Sequence, residues 1–259
     1  MIENAKTARE LNHEDTARFV VDLFHRIIIH HALWFTEVKH QMGMEKALEI
    51  LQTASRKSYD IQMKHLGKIL GFEMKDGIPS SLLAMDEAEL RNLKERVAKN
   101  WLVNDGVWFQ SIEFTEGMND AKRCNDSCWA HFSPFEARSI KQLLGIPENG
   151  GLEGLKRALG FRVYESINIQ SITDETENSF VFQMNQCRVQ EARERKGLDD
   201  YPCKSAGLVE YTYFARAIDS RIKTSCLGCP PDNTRPTGIV PGSSVLKSEQ
   251  RKSTAWRII

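Results

Sequence analysis

The chain has 259 residues, enough to bury a core without disulfide staples. Its 35 basic residues equal its 35 acidic ones, so net charge gives no global pull toward nucleic acid or an anionic membrane. No apolar run reaches the roughly 18 residues a membrane span needs, and the polar start MIENAKTARELNHEDTARF has no secretory h-region, which predicts a cytoplasmic protein with no nucleic-acid or membrane partner.

The first segment, from about Asp15 to Met42, predicts a long helix. Val20, Phe24, Ile27, His31, Trp34, Phe35 and Val38 recur at spacings of three and four. Gly43 breaks it. A second helix runs from about Glu45 to Leu70 with Gly71 as its cap, and Asp76-Gly77-Ile78-Pro79 reads as a turn. A third helix is expected from Asp86 to about Phe114, bent at Gly106. A fourth follows from Met118 to Leu144, bent near Ser133-Pro134. Ile146 to Gly151 is the clearest linker, which divides the chain into a helical part, 1–146, and an α+β part, 151–259.

Beyond Gly160 the period changes. Phe161, Val163, Ile167 and Ile169 alternate with Arg162, Tyr164, Asn168 and Gln170, which predicts a strand. A hairpin loop over Thr173 to Asn178 leads into a returning strand at Phe180, Phe182 and Met184. Then come a charged helix (Arg188 to Lys196), a more apolar helix (Cys203 to Ile218), a strand (Arg221 to Cys226), a loop from Pro230 to about Glu249 and a last strand at Ala255 to Ile259. The expected fold class is α+β: a helical bundle packed on a small antiparallel sheet with two helices and a cysteine metal site.

Four of the six cysteines carry that expectation. Cys187 and Cys203 are separated by fifteen residues and Cys226 follows after twenty-two more. Cys226-Leu227-Gly228-Cys229 is a C-x2-C knuckle, whose turn brings two sulfurs to one side. In a reducing compartment this set suggests a metal more than disulfides. Zinc is the expected ion, with a [4Fe-4S] cluster as the alternative, since Cys229-Pro230 matches the ending of ferredoxin runs. Inert buried thiols explain the same residues. Cys124 and Cys128, four apart on a helix, read as buried packing residues, with a Cys-Cys-His face shared with His131 as the alternative.

Two further groups are candidates for chemistry. His31 sits on the apolar face of the first helix, where with Glu37 it would serve as an acid–base pair or simply be a satisfied core histidine. Glu113 and Asp126 form a second candidate acid–base pair. With Asn119 and Arg123 they would line a pocket for a small polar ligand walled by Trp108 and Trp129; solvated faces with interhelical hydrogen bonds account for them equally.

The segment Pro202-Cys203-Lys204-Ser205-Ala206-Gly207, following a β-hairpin and followed by a strand ending in Cys226 and a final strand, resembles the small-molecule-binding domain of the 4-vinyl reductase superfamily over roughly Phe161 to Ile259. That resemblance implies a ligand-sensing fold, with zinc held by cysteines at the helix start and the last hairpin and by a glutamate. Cys203 and Cys226 match. Lys223 stands where the glutamate belongs and Ser253 nearest the last cysteine, leaving Cys187 and Cys229 as substitutes. The whole chain also resembles an uncharacterised family of prokaryotic cytosolic proteins that carries runs like His31-Ala32-Leu33-Trp34-Phe35-Thr36-Glu37, Asn104-Asp105-Gly106-Val107-Trp108-Phe109 and Cys226-Leu227-Gly228-Cys229-Pro230-Pro231-Asp232. More distantly it is similar to the 2-amino-thiazoline-4-carboxylic acid hydrolase family. The function expected is a metal-binding protein that holds a small molecule between its helices and its α+β part. The alternatives are a hydrolase or lyase for a small sulfur- or nitrogen-containing substrate, or an iron–sulfur redox protein. A homodimer is compatible with any of these.

Overall fold

The computed structural model describes residues 6–230, 232 and 254–259. The chain divides into two compact units, Met1–Asp86 and Glu87–Ile259. The linker at 146–151, expected to separate two domains, lies inside the second unit.

The first unit begins with a 3-10 turn at Ala8–Glu10 and continues into α1 (His13–Met42) and α2 (Met44–Leu70). Asn12 caps α1 by accepting the Asp15 amide N–H at 2.9 Å, satisfying one of the unpaired donors of the first turn. Gly43, at φ 82°, reverses the chain between two helices that pack on each other. A two-stranded hairpin, β1 (Met74–Lys75) and β2 (Ile78–Pro79), turns through Asp76 and Gly77, both at positive φ as a two-residue hairpin turn requires. The short α3 (Ser80–Leu83) ends the unit.

The second unit opens with α4 (Glu87–Glu116) and α5 (Met118–Leu144). Both are continuous helices, through Gly106 and Pro134 respectively. Next come α6 (Gly151–Leu159), a 3-10 turn at Val163–Ser166, β3 (Ile169–Thr176), β4 (Ser179–Gln186), α7 (Arg188–Arg195), α8 (Lys204–Ile218), β5 (Thr224–Gly228) and β6 (Thr254–Ile258). The sheet is antiparallel in the order β3-β4-β6-β5. Phe180, Phe182, Trp256 and Ile258 on one face of it form a core with Tyr211, Phe214 and Ile218 of α8. Helix α8 in turn packs on α5 through the same cluster, which includes Ala137 and Ile140. The observed class is α+β, mostly helical with small antiparallel sheets.

Three expectations are corrected. The strand predicted from Phe161 is a 3-10 turn, and β3 starts only at Ile169. Arg162 and Tyr164 are the buried positions there, while Phe161 is exposed, so the alternation has the opposite phase. The cause is Arg162, which is drawn inward to two carboxylates. Helix α6 follows the linker and buries Leu155, Ala158 and Leu159, although the linker's glycines signalled no element. The loop expected over Thr173 to Asn178 is largely strand, with Thr176 pairing with Ser179 and an irregularity around Asp174 at φ 49°. The expected loop from Pro230 to Glu249 lies outside the described residues except for Pro230 and Asp232, and Ser253 lies outside them too.

A cavity and a thiol cluster as the candidate site

The second unit contains a cavity of about 360 Å³, within the size range of small-ligand sites. Its walls come from α4, α5, β4, α7, α8 and β6. Trp129 stacks on Tyr164 at 5.7 Å and 23°, and Tyr211 lies 5.0 Å from Trp256. These four rings give the cavity flat apolar sides. Trp256 projects from β6 toward α8, and Gly207 is what lets the indole approach the helix. The buried Trp256 Nε1–H has no acceptor among the described residues.

A fixed polar chain borders the aromatic wall. Lys122 Nζ donates to Tyr201 Oη at 2.7 Å and lies 2.8 Å from Asp126 Oδ1; Tyr201 Oη donates to Asn125 Oδ1 at 2.6 Å. Burial pulls the Lys122 ammonium down in pKa while Asp126 resists the change, and burial holds the Tyr201 phenol well above its ordinary range. Gln190 clips the Tyr201 backbone from both sides, donating to its carbonyl at 2.7 Å and accepting its N–H at 2.8 Å.

Two carboxyl groups line the cavity. Burial raises Asp105 to about 6, only partly opposed by Lys122. Glu210 is raised by burial as well, against the pull of Arg162, whose Nη1 is 2.7 Å away. Arg162 Nε also donates to Glu136 Oε2 at 2.9 Å, and its guanidinium lies 4.7 Å from the centre of the Phe214 ring. Burial works against the charge on Arg162, but Glu136 and Glu210 more than offset it and the group stays ionised.

The predicted metal ligands separate into a trio and an outlier. Cys226 Sγ and Cys229 Sγ are 3.3 Å apart, and Cys203 is close enough to Cys229 to raise its pKa. Cys203 is the N-cap of α8, with its sulfur 3.7 Å from the Pro230 carbonyl. Cys187 is the N-cap of α7 and packs with Trp129, Tyr164 and Met184, on the same cavity as Cys203 and Cys229. Hydrogen bonding to Cys229, with burial, keeps the Cys226 thiol well above its ordinary pKa; proximity to Cys203 pushes Cys229 up to about 12. Burial raises Cys187, against two helix-terminal amides. Among the described residues no group of three or more His, Cys, Asp or Glu side chains is arranged to hold a metal ion.

The other predicted residues are spread across both units. His31 Nε2 lies 3.4 Å from Ser58 Oγ of α2, and Glu37 accepts from Gln41 at 2.6 Å, both in the first unit. Glu113 is held in a two-pronged ion pair by Arg193, at 2.8 and 2.7 Å. Of the four predicted ligand-binding residues, Trp129 lines the cavity. Trp108 is 67% exposed, Asn119 is exposed, and Arg123 is exposed and pairs with Asp120. Cys124 and Cys128 are exposed on α5 rather than packed.

Sequence reasoning passed over Asp105, Arg162, Tyr201, Glu210 and Trp256. Two of them carried a signal: Asp105 shares a helix face with Leu102 and Phe109, and Glu210 shares one with Ala206 and Phe214. A carboxyl on an apolar face needs a reason.

Residues 9–88 and 83–239 match a family of unknown function, DUF6125. The chain belongs to the DUF6125 family. No curated protein and no solved structure matches this DUF6125 chain, so the resemblances to the 4-vinyl reductase and thiazoline hydrolase families gain no support from those comparisons. Among the described residues no helix is long and apolar enough to cross a membrane.

Proposed function

We propose that the second unit is a receptor for a small organic molecule, held in the cavity between α4, α5, α7, α8 and the sheet. The observation that carries this reading is the wall itself. Flat aromatic rings surround a space of about 360 Å³, and the polar groups bordering it are held in place by their own hydrogen bonds. An apolar space with a few fixed polar groups is the usual form of a small-ligand site. Native mass spectrometry with a panel of one- and two-ring aromatic compounds tests it. The wild-type chain should bind members of the panel one to one. Ala192→Phe, which fills the cavity from α7, should not. Equal binding to both proteins, or none to either, contradicts the reading.

A second reading concerns the thiols. The 3.3 Å separation of Cys226 and Cys229 would let two sulfurs reach one zinc ion, and Cys203, with Cys187 or a bound molecule, would have to close on it as further ligands. A [4Fe-4S] cluster would use the same sulfurs. Zinc binding would require these raised thiols to lose their protons, which a cation at the site promotes. Elemental analysis of anaerobically purified protein separates the cases. About one zinc per chain, lost in Cys226→Ser, supports the zinc site; iron with acid-labile sulfide supports the cluster. The same metal content in both proteins, or none in the wild type, removes the reading.

A further inference from the structure

One side of the cavity is charged in a way the receptor reading does not use. Helix α7 lays Arg188 and Arg195 along it, and Lys196 at its C-cap and Lys99 of α4 join them. Lys99 is paired with Glu95 at 3.4 Å and Lys196 donates to Gln110 Oε1 at 3.1 Å. Arg188 and Arg195 have no ion-pair partner among the described residues. Arg188 is half-buried at the first position of α7, and its backbone N–H donates to Asn168 Oδ1 at 2.9 Å, so its backbone is anchored while its guanidinium has no counter-charge among the described residues. Of the two carboxyl groups that line the cavity, Glu210 is already bound to Arg162. Asp105, the other, is a single carboxyl set against both Arg188 and Arg195, so positive charge predominates around the cavity. An arginine fork in a partly dry setting is suited to two-pronged recognition of a carboxylate, sulfonate or phosphate. The buried Trp256 Nε1–H adds a donor that no group among the described residues takes up.

Resting on the receptor reading, we infer that the cavity takes an organic anion: a flat apolar body lies among Trp129, Tyr164, Tyr211 and Trp256, and its acidic head is held by Arg188 with Arg195 at the α7 rim. The volume, about 360 Å³, has room for a one- or two-ring body. The acidic head would neutralise Arg188 where water is partly excluded, so the charge should add to affinity instead of merely steering encounter.

Isothermal titration calorimetry with 2-naphthoate and its neutral counterpart 2-naphthamide tests this directly. The wild-type chain should bind the carboxylate at least about tenfold more tightly than the amide. Arg188→Gln should abolish that preference and leave amide affinity unchanged. Arg195→Gln, at an exposed position where substitution does not disturb packing, should lower carboxylate affinity about threefold, so the outcome does not hang on one variant folding. Equal binding of the two compounds to wild type, or a carboxylate preference that survives both substitutions, overturns the anion assignment and leaves the receptor reading standing. Failure of wild type to bind either compound removes both.

Discussion

Gly207 of α8 lies directly beneath the indole of Trp256 on β6: a β-carbon at position 207 would come within 2.5 Å of Trp256 Cζ2. The contact joins the helix carrying Cys203 and Glu210 to the strand that lies between β4 and β5, and it sets where the indole sits in the cavity wall. Gly207→Ala should therefore push the ring outward. The expected cost is about 1–3 kcal/mol, typical of overpacking, measured by urea denaturation. Ligand affinity should fall in the same variant. An unchanged midpoint would mean that the helix and sheet have slack here.

Arg162 is the buried cation between Glu136 and Glu210. Arg162→Gln leaves two buried carboxylates facing each other without a counter-charge, and should destabilise the protein by about 3–5 kcal/mol in a denaturant melt. Glu210→Gln in the Arg162→Gln background should recover part of the loss, because it removes one of the two stranded charges. Additive losses in the double variant would show that the three groups do not act as a unit.

Asp105 gives a pH signature. Folding raises its pKa to about 6 by burial, so the folded chain holds that proton more tightly than the unfolded chain does. Below the ordinary carboxylate range the group is protonated in both states and costs nothing. As pH rises from about 4 to about 6 the unfolded chain gives up this proton while the folded chain keeps it, so stability falls over that window and levels off above it. Asp105→Asn should accordingly be more stable than wild type at about pH 7.5, by on the order of 1–2 kcal/mol, with no advantage at about pH 3. The check is a pair of thermal melts across that range. An advantage independent of pH would contradict the assignment.

The helices were legible because long amphipathic periods and glycine stops are local signals: Gly43, Gly71 and Gly145 each end a helix where the pattern breaks. The four sheet strands were legible in kind, with β3 displaced. The departures arise where tertiary partners override pattern. Around Arg162 an ion pair with residues 26 and 48 positions away reverses which side of the segment is buried, and no local reading of Phe161 to Gln170 contains Glu136 or Glu210. The candidate site was half visible for the same reason. The spacing of Cys226 and Cys229 showed that their sulfurs would meet. The cavity depends on Trp129, Tyr201 and Trp256 arriving from α5, the loop before α8 and the last strand, and only Trp129 had a local reason to be singled out.

The central claim is that a small molecule occupies the space against Trp256. The most direct measurement is the indole region of a proton–nitrogen correlation spectrum, which resolves one N–H signal for each of the five tryptophans. Addition of 2-naphthoate should shift the Trp256 and Trp129 signals, since both rings line the cavity, and leave the exposed Trp34 and Trp108 where they are. A spectrum in which Trp256 stays fixed while Trp34 or Trp108 moves would place binding elsewhere and contradict it.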